Sequence, residues 1–150
     1  MKTETISINS EQIGLIQETY ALIERSTDDV AKAFYNKLFE LDPSLRRLFS
    51  SDMREQRKKL MDVIGFLVYN LNDLDHLVYL IQELGKRHTR RYEVKDHNYE
   101  IAIVAFLHAL EDRLGNVWTI KVHRAWKNLL IIVSELMTNN KLIVENVAHP

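Results

Sequence analysis

Between Pro43 and Pro150 there is no proline, and glycine occurs only at positions 14, 65, 85 and 115. A backbone so short of helix-interrupting residues is constrained before any pattern is read, because sheet proteins turn often and draw on glycine and proline to do so. The stretches between the breakers are rich in Leu, Ile, Glu, Lys and Arg, a composition that favours helix over most of the chain. No internal repeat, low-complexity run or domain-scale linker interrupts it. At 150 residues, the expectation is one compact all-α domain.

The apolar residues recur at helical spacing. Asn9 or Ser10 caps a first helix with Ile13, Ile16, Tyr20 and Ile23 on one face, and "STDD" (26–29) opens a second through Val30, Phe34, Leu38 and Leu41. Asp42-Pro43 starts a short helix that ends near Phe49, and "SSD" (50–52) starts another with Met53, Leu60, Val63, Ile64 and Leu67. "NLNDLD" (70–75) breaks that helix and begins the next, through Leu77, Ile81 and Leu84. A long helix from about Lys95 carries Tyr99, Ala102, Ile103, Phe106 and Leu110 and closes at Gly115. The last, which includes Trp118 and Trp126 with Val122, Leu129, Val133 and Leu136, fades at Asn139-Asn140. No stretch alternates strictly enough to be expected as a strand.

Composition excludes several chemistries. Cysteine is absent, which rules out disulfides, thiolate zinc sites, iron–sulfur clusters and a cysteine nucleophile. The formal charge of −1 gives no global attraction to nucleic acid or an anionic membrane. "MKTETISINS" lacks the apolar core of a signal peptide, and no run is long enough for a membrane span, so a cytoplasmic location is expected. "GKRHTRR" (85–91) is the one basic cluster. It reads as a solvated helix end whose cations suit the C-terminal dipole, with nucleic-acid binding the lesser alternative.

Two apolar stripes contain a polar intruder. Gln56 lies three residues past Met53 and four before Leu60, and His88 lies four past Leu84 and seven past Ile81. Tyr35, beside Phe34 and three before Leu38, adds a hydroxyl that needs a partner if its ring is buried. Buried amides and imidazoles cost a few kcal/mol unless bonded. Taken singly each is ordinary, and a histidine on an apolar stripe is more often a bonded core residue than a ligand. Three on three helices point to a shared ligand. No HxxxH or ExxH pair stands near His88 to complete a protein-only metal site, whereas one imidazole suffices for haem, whose macrocycle supplies four nitrogens.

At this point the residues resemble a known family. "AFYNKLFELDPSLRRLF", "EQRKKLMDVIGFLV", "ELGKRHTRR", "VKDHNY" and "RAW" occur in the order and at the separations of globins, over about residues 10–139, with a tail at 140–150. The chain looks similar to bacterial single-domain haemoglobins, to the globin domain of flavohaemoglobins and to neuroglobin-like globins. The resemblance implies a single domain over 1–150, a three-over-three helical sandwich and haem b. It implies that His88 binds the iron, with Gln56, 32 residues earlier, and Tyr35 on the opposite, gas-binding side. Phe49 then packs on the haem plane, Leu60 lies over the gas, Leu84 contributes to the pocket wall, and Tyr99 joins a hydrogen-bond network behind His88. Two departures stand out. The loop "SSDMRE" is about three residues shorter than in flavohaemoglobins, and "TNNK" (138–141) lacks their proximal acid, for which Glu135 or Glu145 could substitute.

The implied function is reversible binding of a diatomic gas, oxygen before nitric oxide or carbon monoxide, with Tyr35 and Gln56 each donating a hydrogen bond of the order of 1–2 kcal/mol. The alternatives are a nitric oxide dioxygenase served by a separate reductase, and a haem-based sensor acting through a partner. His76, His97, His108 and His123 are not needed for any of these roles.

Overall fold

The computed structural model describes residues 5–92, 96–138 and 143–146, with side chains for all of these except 5–7, 85, 87–92, 96–97, 138 and 143–146. Among the described residues, six α-helices carry the fold: α1 (Ser10–Ile23), α2 (Thr27–Leu41), α3 (Arg54–Tyr69), α4 (Leu74–Tyr92), α5 (Asp96–Leu114) and α6 (Ile120–Thr138). Several ends follow the sequence signals, although Ser26 before α2 makes no side-chain capping bond and α3 begins after Met53 rather than at an "SSD" cap. Asn9 and Gln12 form a reciprocal capping box on α1, with the Gln12 amide donating to Asn9 Oδ1 at 2.8 Å. Asp42 Oδ1 accepts from the Ser44 amide at 3.1 Å and opens a 3₁₀ helix over Pro43–Leu48. Gly115 adopts φ 55°, the left-handed conformation that ends α5 at low cost.

The packing joins α2 to α5, α4 and α1 to α6, and α2 to α3. The apolar faces read from the sequence meet in one core, where Ile16, Ile23, Val30, Leu77, Leu110, Trp126 and Leu136 are fully buried. Each such aliphatic side chain contributes about 1.5–3 kcal/mol on leaving water. Trp126 also brings a polar atom inside, and its Nε1 donates to Thr19 Oγ1 at 2.9 Å. Thr19 Oγ1 in turn donates to the Leu15 carbonyl at 2.7 Å, so the α1–α6 contact buries no orphan donor there. Gln17 Nε2 ties α1 to the end of α3 through the Val68 carbonyl at 2.9 Å.

Three expectations are corrected. A short parallel pair, β1 (Thr5–Ile8) with β2 (Ile143–Asn146), lies outside the helices, with Thr5 opposite Ile143 and Ile8 opposite Asn146. "TISI" does alternate, but four residues are too few to stand out as a strand by pattern alone; their β-branched side chains suit the pairing once α6 brings the tail alongside. Part of the tail is therefore packed on the chain's own β1. Trp118 precedes α6 rather than lying on it, and packs edge-on to His123 at 5.6 Å. Leu41, assigned to the α2 stripe, is exposed at the helix end.

Candidate functional site

A cavity of about 570 Å³ opens between α2, α3, α4, α5 and α6. That is the size range of cofactor sites, roughly 300–1,000 Å³. α2 supplies Phe34, Tyr35 and Leu38, and the 3₁₀ segment and the residue after it supply Leu45, Leu48 and Phe49. α3 presents its expected stripe of Gln56, Leu60, Val63, Ile64 and Leu67, while α4 adds Ile81 and Leu84. α5 adds Tyr99, Ala102, Ile103 and Phe106. Tyr35, Phe49, Gln56, Leu60, Leu84 and Tyr99, singled out in the sequence, thus line one space.

Gln56 Nε2 donates to Tyr35 Oη at 3.1 Å, across the α2–α3 contact. The helices make this meeting possible: Tyr35 is in the middle of α2, Gln56 is in the first turn of α3, and the short 3₁₀ connection folds one back beside the other. The Tyr35 ring is buried and held edge-on by Phe34 at 4.8 Å and by Phe49 at 5.5 Å. Phe34 also meets Phe106 of α5 edge-on at 5.6 Å, so aromatic contacts run from Phe49 to the floor of the core. A second, polar recess of about 680 Å³ includes Ser50, Asp52, Arg54, Glu55 and Lys58 and shares Leu48, Phe49, Gln56 and Lys59 with the cavity. Gln56 and Phe49 therefore stand where the two spaces meet.

His88 falls within α4, four residues past Leu84, and its side chain lies outside the described residues. The same holds for Arg87 and for "NNK" (139–141), and the side chain of Thr138 is likewise not described. Lys86, from the basic cluster at 85–91, is exposed and pairs with Glu83 at 3.2 Å. α6 also lines the cavity through Leu130, Val133, Ser134 and Met137, of which only Val133 stood in the stripe read from the sequence. The signal was present, since these positions follow i, i+3, i+4, i+7, but the face was overlooked beside the stronger one of Val122, Trp126, Leu129 and Leu136.

The residues present fit a flat, largely apolar macrocycle with one polar side: the walls are aromatic and aliphatic, and the hydrogen-bonded Tyr35 and Gln56 lie together on one flank. A family model described as globin matches residues 32–137. The chain is 32% identical over 118 residues to Neuroglobin of Dissostichus mawsoni, covering 69% of this chain and 74% of that protein. It is 27% identical over 150 residues to Cytoglobin-1 of Oryzias latipes, covering 91% and 83%. With the Flavohemoprotein of Bacillus subtilis it shares 21% over 131 residues, 85% of this chain but 33% of that one. A bacterial globin from Campylobacter jejuni superposes with a TM-score of 0.76 at 20% identity, covering 87% of this chain and 94% of its own, a likeness of fold.

The helical sandwich and its cavity define an all-α protein with an internal site of cofactor size. The chain belongs to the globin family. Membership implies haem binding and supports haem-based binding of a gas. Among the described residues, no helix is long and apolar enough to cross a membrane.

Proposed function

We propose that this chain is a single globin domain that carries haem b on His88 and binds a diatomic gas reversibly, oxygen foremost. One observation carries the reading: a hydrogen-bonded tyrosine–glutamine pair on the wall of a largely apolar cavity of cofactor size. Haem, if bound, would be held through its iron by His88 and would supply the centre that takes up a gas. The remaining work falls to the chain. His88 offers a neutral imidazole. Leu60, Val63 and Phe49 exclude water. Gln56 commits one amide proton to the Tyr35 oxygen, which fixes the phenol and turns its own O–H away from the amide. The two side chains thus act in series, Gln56 aiming Tyr35, and a donor so polarised is strengthened by the bond it accepts.

The test is an absorption spectrum of purified protein titrated with haem, with His88→Ala alongside, in ferric, ferrous and carbon monoxide-bound forms. A strong Soret band at one haem per chain that weakens or shifts in the variant supports the reading. Failure to bind haem in defined stoichiometry sinks it.

The likeness to a flavohemoprotein favours a second reading, nitric oxide dioxygenase activity dependent on a separate reductase. Rapid recovery of the ferrous form with a cellular reductase, after oxidation by nitric oxide, would support it. Slow recovery would leave gas binding alone.

A further inference from the structure

Phe49 stands at the mouth shared by the cavity and the polar recess, half-buried, with solvent on one side. A ring in such a place is not fixed by packing alone, and the backbone that carries it has already left the 3₁₀ helix for an extended conformation. Arg46 closes that turn. Its Nη1 donates to the Phe49 carbonyl at 3.1 Å and to the Ser50 carbonyl at 2.9 Å. The same guanidinium lies over the Phe39 ring, 5.5 Å from its centre. Phe39 is 5.8 Å from Phe49 and 6.0 Å from Tyr35. One planar cation therefore joins the backbone of the turn to the aromatic cluster behind the gas-binding tyrosine. Its flat fork and its stacking are features a lysine does not reproduce.

We propose that Arg46 is a positioning residue for the cofactor site: by clasping the turn over residues 46–50 onto Phe39, it holds Phe49 against Tyr35. In doing so it sets how long the cofactor is retained and how steadily Tyr35 is aimed. This rests on the haem reading above.

Three variants test it in haem-loaded protein: Arg46→Ala, Arg46→Lys and, as a control, Arg47→Ala, which removes a neighbouring exposed cation and leaves the Arg46 bonds to the Phe49 and Ser50 carbonyls in place. Haem transfer to a scavenging apoprotein and the infrared stretch of bound carbon monoxide are measured together. Arg46→Ala should lose haem about tenfold faster, with a shifted or broadened carbon monoxide band, while Arg46→Lys falls between it and the wild type. Arg47→Ala should stay within about twofold of wild type. An Arg46→Ala protein that retains haem as the wild type does, with an unmoved band, overturns the proposal. If Arg46→Ala does not fold, Arg46→Lys decides alone, and behaviour equal to wild type overturns it. If the wild type takes up no haem, the haem reading fails by itself. The clasp is then judged by amide exchange over residues 46–53, which should quicken in Arg46→Lys, and unchanged exchange ends it.

Discussion

Gly65 faces Tyr20 where α1 meets α3, and a Cβ built there would stand 2.8 Å from Tyr20 Oη. Tyr20 is buried and packed edge-on to Tyr69 at 5.8 Å, so its ring has little freedom to retreat. Gly65→Ala should cost about 1–3 kcal/mol in denaturant unfolding, the usual range for overpacking. Because the nearest atom is the hydroxyl, Tyr20→Phe in the same chain should return most of the loss; a double variant no more stable than Gly65→Ala would refute the contact as the cause. A similar single-atom logic applies to Tyr35→Phe, which takes the acceptor from Gln56 and the donor from the cavity. Gas dissociation should quicken about tenfold or more, read by stopped-flow, for the loss of a buried hydrogen bond. At this scale the sequence was uneven in what it revealed. Gln56 and Tyr35 announced themselves as polar groups on apolar stripes. Gly65 did not, because a close approach between two helices is decided by their crossing, and no spacing within one helix encodes it. Arg46 was equally hidden, one of two adjacent arginines that differ in which backbone carbonyls and which ring each can reach.

Between elements, α2 and α3 are joined twice on the side chains: by Tyr35 with Gln56, and by Asp28 with Arg57, whose Nε donates to the carboxylate at 2.8 Å. That hydrogen bond holds the Asp28 carboxyl below its ordinary value against the opposing effect of burial, with the charges of Arg57 and Lys32 adding to it. A depressed folded value means that the pair stabilises the fold above the ordinary carboxylate range and that this stabilisation fades as pH falls through the lowered value. Asp28 is exposed, so the contribution is small, at most about 1 kcal/mol at neutral pH. The Tm difference between wild type and Asp28→Asn should be positive at neutral pH and shrink toward zero in acid; a difference independent of pH would exclude the ion pair as its source. Helix positions and caps were legible because propensity, capping residues and period agreed at Asn9, Asp42 and Gly115. The second face of α6 was not separated from the first, because a helix buried on two sides carries two overlapping stripes. The strands β1 and β2 escaped because each is short and is stabilised only by the other, far along the chain.

For the whole molecule, the order and separation of motifs carried the family and the fold, since sequential helices with short connections admit few arrangements. What the sequence withheld was mutual: the meeting of Gln56 with Tyr35, and the sharing of a mouth between two cavities, exist only after packing. Haem, if it binds only the folded chain, should raise the Tm of the intact protein, by the equivalent of about 2.7 kcal/mol when free haem stands at a hundred times its dissociation constant. His88→Ala should lose much of that shift under the same conditions, and an equal shift in both would argue against His88 as the ligand. The parallel pairing of β1 with β2 has a consequence in time. It joins segments near opposite ends of the described chain, so it closes a very long loop and gains little until α1 and α6 have come together. Loop closure of that length makes the pairing an expected late event, after the barrier to folding. On that expectation, its loss should speed unfolding and leave the folding rate nearly untouched, so that the small clasp bears on how long the folded chain persists and the helices on how soon it appears.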